Sequence, residues 1–173
     1  MPSTERALRL EVLSEVGLGS PVGHLRGLPV SLGAGASRAF LVAYCADFDD
    51  DPYIEMFFFP TDTLKLALIT ERGEIVWRRD LGSAVVPGVW FCPVFAFDLD
   101  GDGVDEIWYV NNVNPQHPLG LSGYRLERLD AQTGATTGQW PWPNLGDTQT
   151  LSFTFRHFIL GGHVGGEPVL ITG

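Results

Sequence analysis

FAFDLDGDGVDEIWYV, residues 95–110, decides how the chain is read. Carboxylates fall at alternate positions, Asp98, Asp100 and Asp102; a glycine follows at 103, and Glu106 closes the run. Apolar, β-prone residues flank it on both sides, so the run reads as a corner between two strands. In such a corner the side chains at the first, third and fifth positions can converge on one point. Carboxylates ~4 Å apart repel by ~1 kcal/mol per pair in water and by ~4 kcal/mol at a protein-like effective dielectric. A hard cation removes that repulsion. Calcium accepts about 6–8 oxygens at about 2.3–2.6 Å in flexible geometry, whereas magnesium demands a strict octahedron and zinc prefers His or Cys. The corner contains neither His nor Cys. The expected Ca2+ ligands are therefore Asp98, Asp100, Asp102, the carbonyl of Val104, and Glu106. A solvated acidic turn is the alternative.

The same residues argue against an EF-hand. Counted from Asp98, the twelfth position is Tyr109, where that motif needs a bidentate Glu. The flanking FAF and IWYV are strand-like rather than helical.

A second stretch, AYCADFDDDPYIEMFFF (43–59), carries Asp47, Asp49, Asp51 and Glu55 at a constant offset of 51 from Asp98, Asp100, Asp102 and Glu106. These four make a second candidate calcium site, but Asp50 and Pro52 replace the glycines at 101 and 103. Pro52 fixes φ and lacks an N–H where a glycine would tolerate positive φ. A third stretch, FTFRHFILGGHVGGEPVLITG (153–173), keeps Glu167 in the place of Glu106 but has Ile159, Gly161 and His163 in place of the aspartates, and is expected to bind nothing.

The segments between also match. LKLALITERGEIVWRRDLG (64–82) has a turn at Gly73 followed by Trp77; GYRLERLDAQTGATTGQWPWP (123–143) has Gly134 followed by Trp140. Both tryptophans are expected in the core. A unit of about 50 residues with four short strands reads as a β-propeller blade. The fold class expected is all-β, with blades of four antiparallel strands, residues 1–42 as lead-in strands, blades at 43–93 and 94–154, and a partial blade at 155–173. That makes about two and a half to three blades, fewer than the four or more of a closed ring. The expectation is a piece of a propeller, or one completed by another chain. A β-sandwich of similar hairpins is the alternative.

Bulk properties agree with a β-rich domain. The 173 residues include 21 Gly and 12 Pro, which signal many turns. Net charge is −10, with Lys65 the one lysine, which argues against nucleic acid as partner. Much of the negative charge sits in Asp47 to Glu55 and Asp98 to Glu106, a density that points to a cation. Cys45 and Cys92 form no CxxC and read as small buried apolar residues. No apolar run approaches the ~20 residues of a membrane span. MPSTERALRL lacks the charged and apolar regions of a signal peptide, so the chain as written reads as cytoplasmic; a different natural start would make it extracellular.

DLDGDGVDEIWYV (98–110) resembles the FG-GAP or VCBS type of calcium-binding propeller repeat. GYRLERLDAQTGATTGQWPWP, after a DGDG loop, is similar to blades of the rhamnogalacturonan lyases, calcium-containing β-propellers that cleave pectin by β-elimination. The resemblance covers roughly residues 40–173 and implies a polysaccharide substrate. β-Elimination beside a uronate needs a base for the C5 proton and a cation for the carboxylate. The sequence identifies no base. NNVNPQHPLG (111–120) is the longest polar insertion, so Asn112, Asn114 and His117 are the candidate sugar-binding residues, with Trp90 or Trp108 as a stacking face. Pro115 and Pro118 shaping a turn is the plainer reading. A non-catalytic propeller binding a glycan or protein partner is the alternative function, and exposed blade edges would favour self-association.

Overall fold

Runs of apolar residues bounded by Gly, Pro and Asp build two four-stranded antiparallel sheets and a hairpin. The computed structural model describes residues 9–36, 38–48, 60–143 and 155–173. Sheet one is β1 (His24–Val30), β2 (Ala39–Cys45), β3 (Lys65–Thr70) and β4 (Ile75–Asp80), in that order. Sheet two repeats the pattern with β5 (Val94–Phe97), β6 (Glu106–Asn112), β7 (Tyr124–Asp130) and β8 (Thr136–Pro141). The hairpin is β9 (Ile159–Val164) and β10 (Glu167–Thr172). Among the described residues no helix is long and apolar enough to cross a membrane.

The central strands are apolar on both faces because both faces are covered. On β2, Leu41 and Ala43 face sheet two, where they meet Ile107, Tyr109 and Leu129 in one buried cluster. Val42 and Tyr44 face the other way, under Val16 and Leu18 of the N-terminal segment. On β6, Trp108 and Val110 turn from sheet one toward Ile159 and Leu170 of the hairpin. Fully burying a Leu or Ile side chain contributes roughly 1.5–3 kcal/mol, so these two interfaces dominate the packing.

Three observations differ from the expected boundaries. First, sheet one begins at His24, inside the segment read as lead-in. Second, β2 is the second strand of its sheet while β5 is the first strand of its own, so the 51-residue offset does not align equivalent strands. The corner after β5 corresponds to the β1–β2 connection, and the Asp47 stretch follows β2 at the opposite end of the sheet. Glu106 and Glu167, in contrast, both open the second strand of a hairpin. The hairpin replaces the acidic corner with the two-glycine turn Gly165–Gly166, both at positive φ. Third, the tryptophans are not equivalent. Leu68 pairs with Trp77 but Ile69 pairs with Ile75, so Val76 is the extra residue of a bulge. The matching bulge at Arg128/Leu129 puts Gly138 where sheet one has Trp77. Trp77 packs between the sheets and donates Nε1–H to the Ala131 carbonyl at 2.8 Å. Trp140, expected in the core, is 43% exposed.

The two cysteines are buried and free. Burial pushes the Cys45 thiol up to about 11 and the Cys92 thiol to about 12, which leaves both protonated and unreactive at neutral pH.

Candidate metal centre

The corner between β5 and β6 is organised by Asp98. Its Oδ1 accepts the backbone N–H groups of Gly101 (2.7 Å) and Asp102 (3.1 Å), and its Oδ2 that of Gly103 (2.8 Å). The chain can turn back over this carboxylate because Gly101 and Gly103 sit at φ of 77° and 89°, a region that side chains disfavour. The Asp102 Oδ1 accepts from Val104 N–H at 2.8 Å, and Glu106 Oε2 from Leu99 N–H at 3.0 Å. The curled backbone holds the carboxylates together: Asp98, Asp100 and Asp102 each offer an oxygen within 4.8 Å of the others.

Oxygens bound to one metal ion lie within about 5 Å of one another, so the triad could hold a metal ion. Glu106 lies beside it. Burial raises its pKa above the usual carboxylate value, and the nearby Asp100 carboxyl raises it further, against the opposing Leu99 N–H and the Arg128 charge. Val104 and Asp105 complete one wall of a shallow open cleft of ≈160 Å³; Arg128, Asp130 and Thr137 form the other. Four of the five expected ligands thus have carboxylates on one corner, with Val104 in the same wall.

The sequence reading missed how the corner is anchored. Asp105 accepts the Ser31 N–H through Oδ2 at 2.7 Å, its own N–H donates to Ser31 O at 2.9 Å, and Ser31 Oγ–H donates to Gly103 O at 2.9 Å. A bridge between Leu32 and Val104 continues the contact. The corner is therefore fastened to the β1–β2 connection of the neighbouring sheet. Only the acidic character of Asp105 hinted at this; its partner lies 74 residues away.

The other expected site residues are placed elsewhere. Asp47 Oδ2 accepts the backbone N–H groups of Thr61 (2.6 Å) and Asp62 (2.7 Å), and Oδ1 accepts the Thr61 hydroxyl at 2.9 Å. The Asp62 N–H and the Thr61 hydroxyl hold its carboxyl below the usual range. Asp62 in turn pairs with Lys65 at 2.6 Å. Asp47 closes a connection between strands here. Asp49, Asp51 and Glu55 lie outside the described residues.

Asn112 is buried, donates to Pro118 O at 2.7 Å and accepts the Asn114 N–H at 3.0 Å. Asn114 Oδ1 accepts from Gln116 N–H at 3.1 Å, and His117 is exposed. These amides shape the β6–β7 connection. That connection leaves the C-terminal end of the seven-residue β6, roughly 20 Å from the acidic corner at its start. The corner and the candidate sugar loop do not form one site. Trp108 cannot offer a stacking face: it is 2% exposed, with Nε1–H donating to Phe97 O.

Sequence reasoning also missed Glu127. It sits on the inward face of β7 with no exposed surface, yet accepts from Arg79, Thr136, Asn111 and Gln139 at 2.6–2.7 Å. Burial alone raises its pKa, and these donors outweigh burial to leave it below the usual value. The arrangement is a satisfied structural ion pair between sheets.

No family model matches the chain, and no curated protein matches it. Three solved structures share the fold. The rhamnogalacturonan lyase YesW aligns with a TM-score of 0.67 at 17% identity, over 86% of this chain and 30% of that one. The exotype rhamnogalacturonan lyase YesX aligns at 0.71 and 17%, over 91% and 32%. The Bacillus licheniformis rhamnogalacturonan lyase PL11 aligns at 0.69 and 15%, over 88% and 32%. The chain spans about a third of the length of each. Identity this low establishes a shared fold and no more.

Proposed function

We propose that the two sheets and the hairpin are successive blades of a calcium-stabilised β-propeller of the FG-GAP type, part of a protein that acts on pectic polysaccharide as the rhamnogalacturonan lyases of similar fold do. The observation that supports this best is the conjunction of the lyase fold with three aspartates converging within 4.8 Å at a glycine-turned corner. Asp98, Asp100, Asp102 and Glu106, with the Val104 carbonyl, would hold Ca2+. The ion would supply charge neutralisation, and the Ser31–Asp105 clasp would carry that order to the neighbouring sheet. Asp98 orients the corner backbone through its three accepted N–H groups. The role of calcium in this reading is structural.

A non-catalytic propeller that binds glycan or protein is the second reading. It is favoured by the commitment of Asn112 and Asn114 to their own loop and by the burial of Trp108. One experiment separates the two. Incubated with rhamnogalacturonan and calcium, a lyase releases unsaturated uronates and the ultraviolet absorbance rises. Retention of polysaccharide without that rise supports the binding module.

A further inference from the structure

Register places Trp108 of β6, Arg128 of β7 and Gly138 of β8 in one cross-strand row, on the face of sheet two that carries Trp108 toward the hairpin. Gly138 brings no side chain to this row, and the indole of Trp140 folds back into the space: a Cβ at 138 would run into the ring. The two indoles lie 5.8 Å apart between centroids. Trp108 is 2% exposed and Trp140 43%, so Trp140 is the solvent-facing member of the pair. The Arg128 guanidinium carbon sits 5.9 Å from both ring centroids, and its Nε–H donates to Thr137 Oγ1 at 2.9 Å. Two rings and a hydroxyl thus hold the guanidinium in place. Its Nη1 and Nη2 make no hydrogen bond or ion pair among the described residues, and neither is sealed from solvent. Arg128 also lines the open cleft beside the acidic corner.

We propose that Trp140 and Arg128 bind one uronate residue of a polysaccharide. The apolar C–H face of the pyranose stacks on the exposed indole, and the carboxylate accepts from Nη1 and Nη2, whose planar donors match it in two-point geometry. A sugar is specified because the site is open: hydroxyls around the rim of the pyranose keep their water while the ring is covered. An acidic sugar is specified because the guanidinium is already positioned and has donors to spare. That the polysaccharide is pectic rests on the function proposed above; the pairing of indole and guanidinium does not. This site is separate from the Asn112, Asn114 and His117 loop and involves no bond cleavage.

The test titrates the full chain with trigalacturonate and, separately, with its neutral counterpart galactotriose. Calcium is present throughout, because the neighbouring carboxylates repel an incoming anion. Calorimetry reads affinity and tryptophan fluorescence reads the contact at the indole. Trigalacturonate is expected to saturate both signals, with galactotriose at least about tenfold weaker. Arg128→Gln should bring trigalacturonate down to the galactotriose level, and Trp140→Ala should weaken both sugars and remove the fluorescence change. If Arg128→Gln does not fold, the contrast between the two sugars on the parent chain and the loss in Trp140→Ala decide. Trigalacturonate failing to saturate, binding no more tightly than galactotriose, or binding Trp140→Ala as well as the parent overturns the proposal. The assay reads binding alone, so such a failure leaves the lyase reading to the absorbance test above.

Discussion

Arg79 on β4 donates Nη2–H to Oε1 of Glu127 on β7 at 2.7 Å, so an ion pair crosses the junction between the two four-stranded sheets. The carboxylate has no exposed surface, the Arg79 side chain is 29% exposed, and Asn111, Thr136 and Gln139 complete the acceptor's coordination. Removing Glu127 takes the shared acceptor from four donors, of which Thr136 and Gln139 lie at the exposed edge and can turn to water. Glu127→Ala is expected to cost about 1–3 kcal/mol, read from denaturant unfolding. A loss under 1 kcal/mol would show that the network contributes little to joining the sheets.

The same pair sets an acid limit. The folded-state pKa of Glu127 lies below its unfolded value, so its contribution is present above the unfolded pKa, near 4.5, and is lost as pH falls through the folded value. Unfolding free energy measured from pH 7 downward should drop below about pH 4.5 in the parent chain. The drop should be shallower in a Glu127→Gln variant. Equal slopes would assign the acid sensitivity to other carboxylates.

Gly134 turns β7 into β8 at φ 70°, and a Cβ there would lie 2.7 Å from the indole of Trp77 on the neighbouring sheet. Gly134→Ala meets both backbone strain and a ring held by its bond to Ala131. A loss of about 1–3 kcal/mol is expected by thermal or denaturant unfolding. A neutral outcome would mean that Trp77 swings aside, which near-ultraviolet circular dichroism would register.

Asp100 accepts no hydrogen bond from the backbone among the described residues, so its removal leaves the corner's scaffold intact. Without calcium, Asp100→Ala relieves repulsion and is expected to raise stability by about 1 kcal/mol. With calcium at 100 times its Kd, the parent chain gains about 2.7 kcal/mol and the variant gains much less. The two stability curves should therefore cross as calcium is added. Parallel curves would remove Asp100 from the ligand set.

The all-β character was legible because the central strands are unbroken apolar runs and the turns carry Gly73 and Gly134. The acidic corner was legible because carboxylate convergence in a tight turn is a local property of spacing. Strand equivalence was not. Asp47 and Asp98 share a local pattern, yet one follows a second strand and the other a first, and pairing order is set by contacts far apart in sequence. The Trp77–Trp140 mismatch arises from one-residue bulges that shift which side chain faces inward. Ser31 and Arg79 were silent for the same reason. Their partners, Asp105 and Glu127, lie 74 and 48 residues away.

The most direct test of the proposed calcium site at this corner is the melting temperature of the chain with chelator and with saturating calcium. A gain of about 2.7 kcal/mol in a chain this size corresponds to a rise of roughly 5–10 °C. That rise, absent in Asp100→Ala, is the predicted result. Identical melting of the parent chain under both conditions would contradict the assignment of a metal to Asp98, Asp100, Asp102 and Glu106.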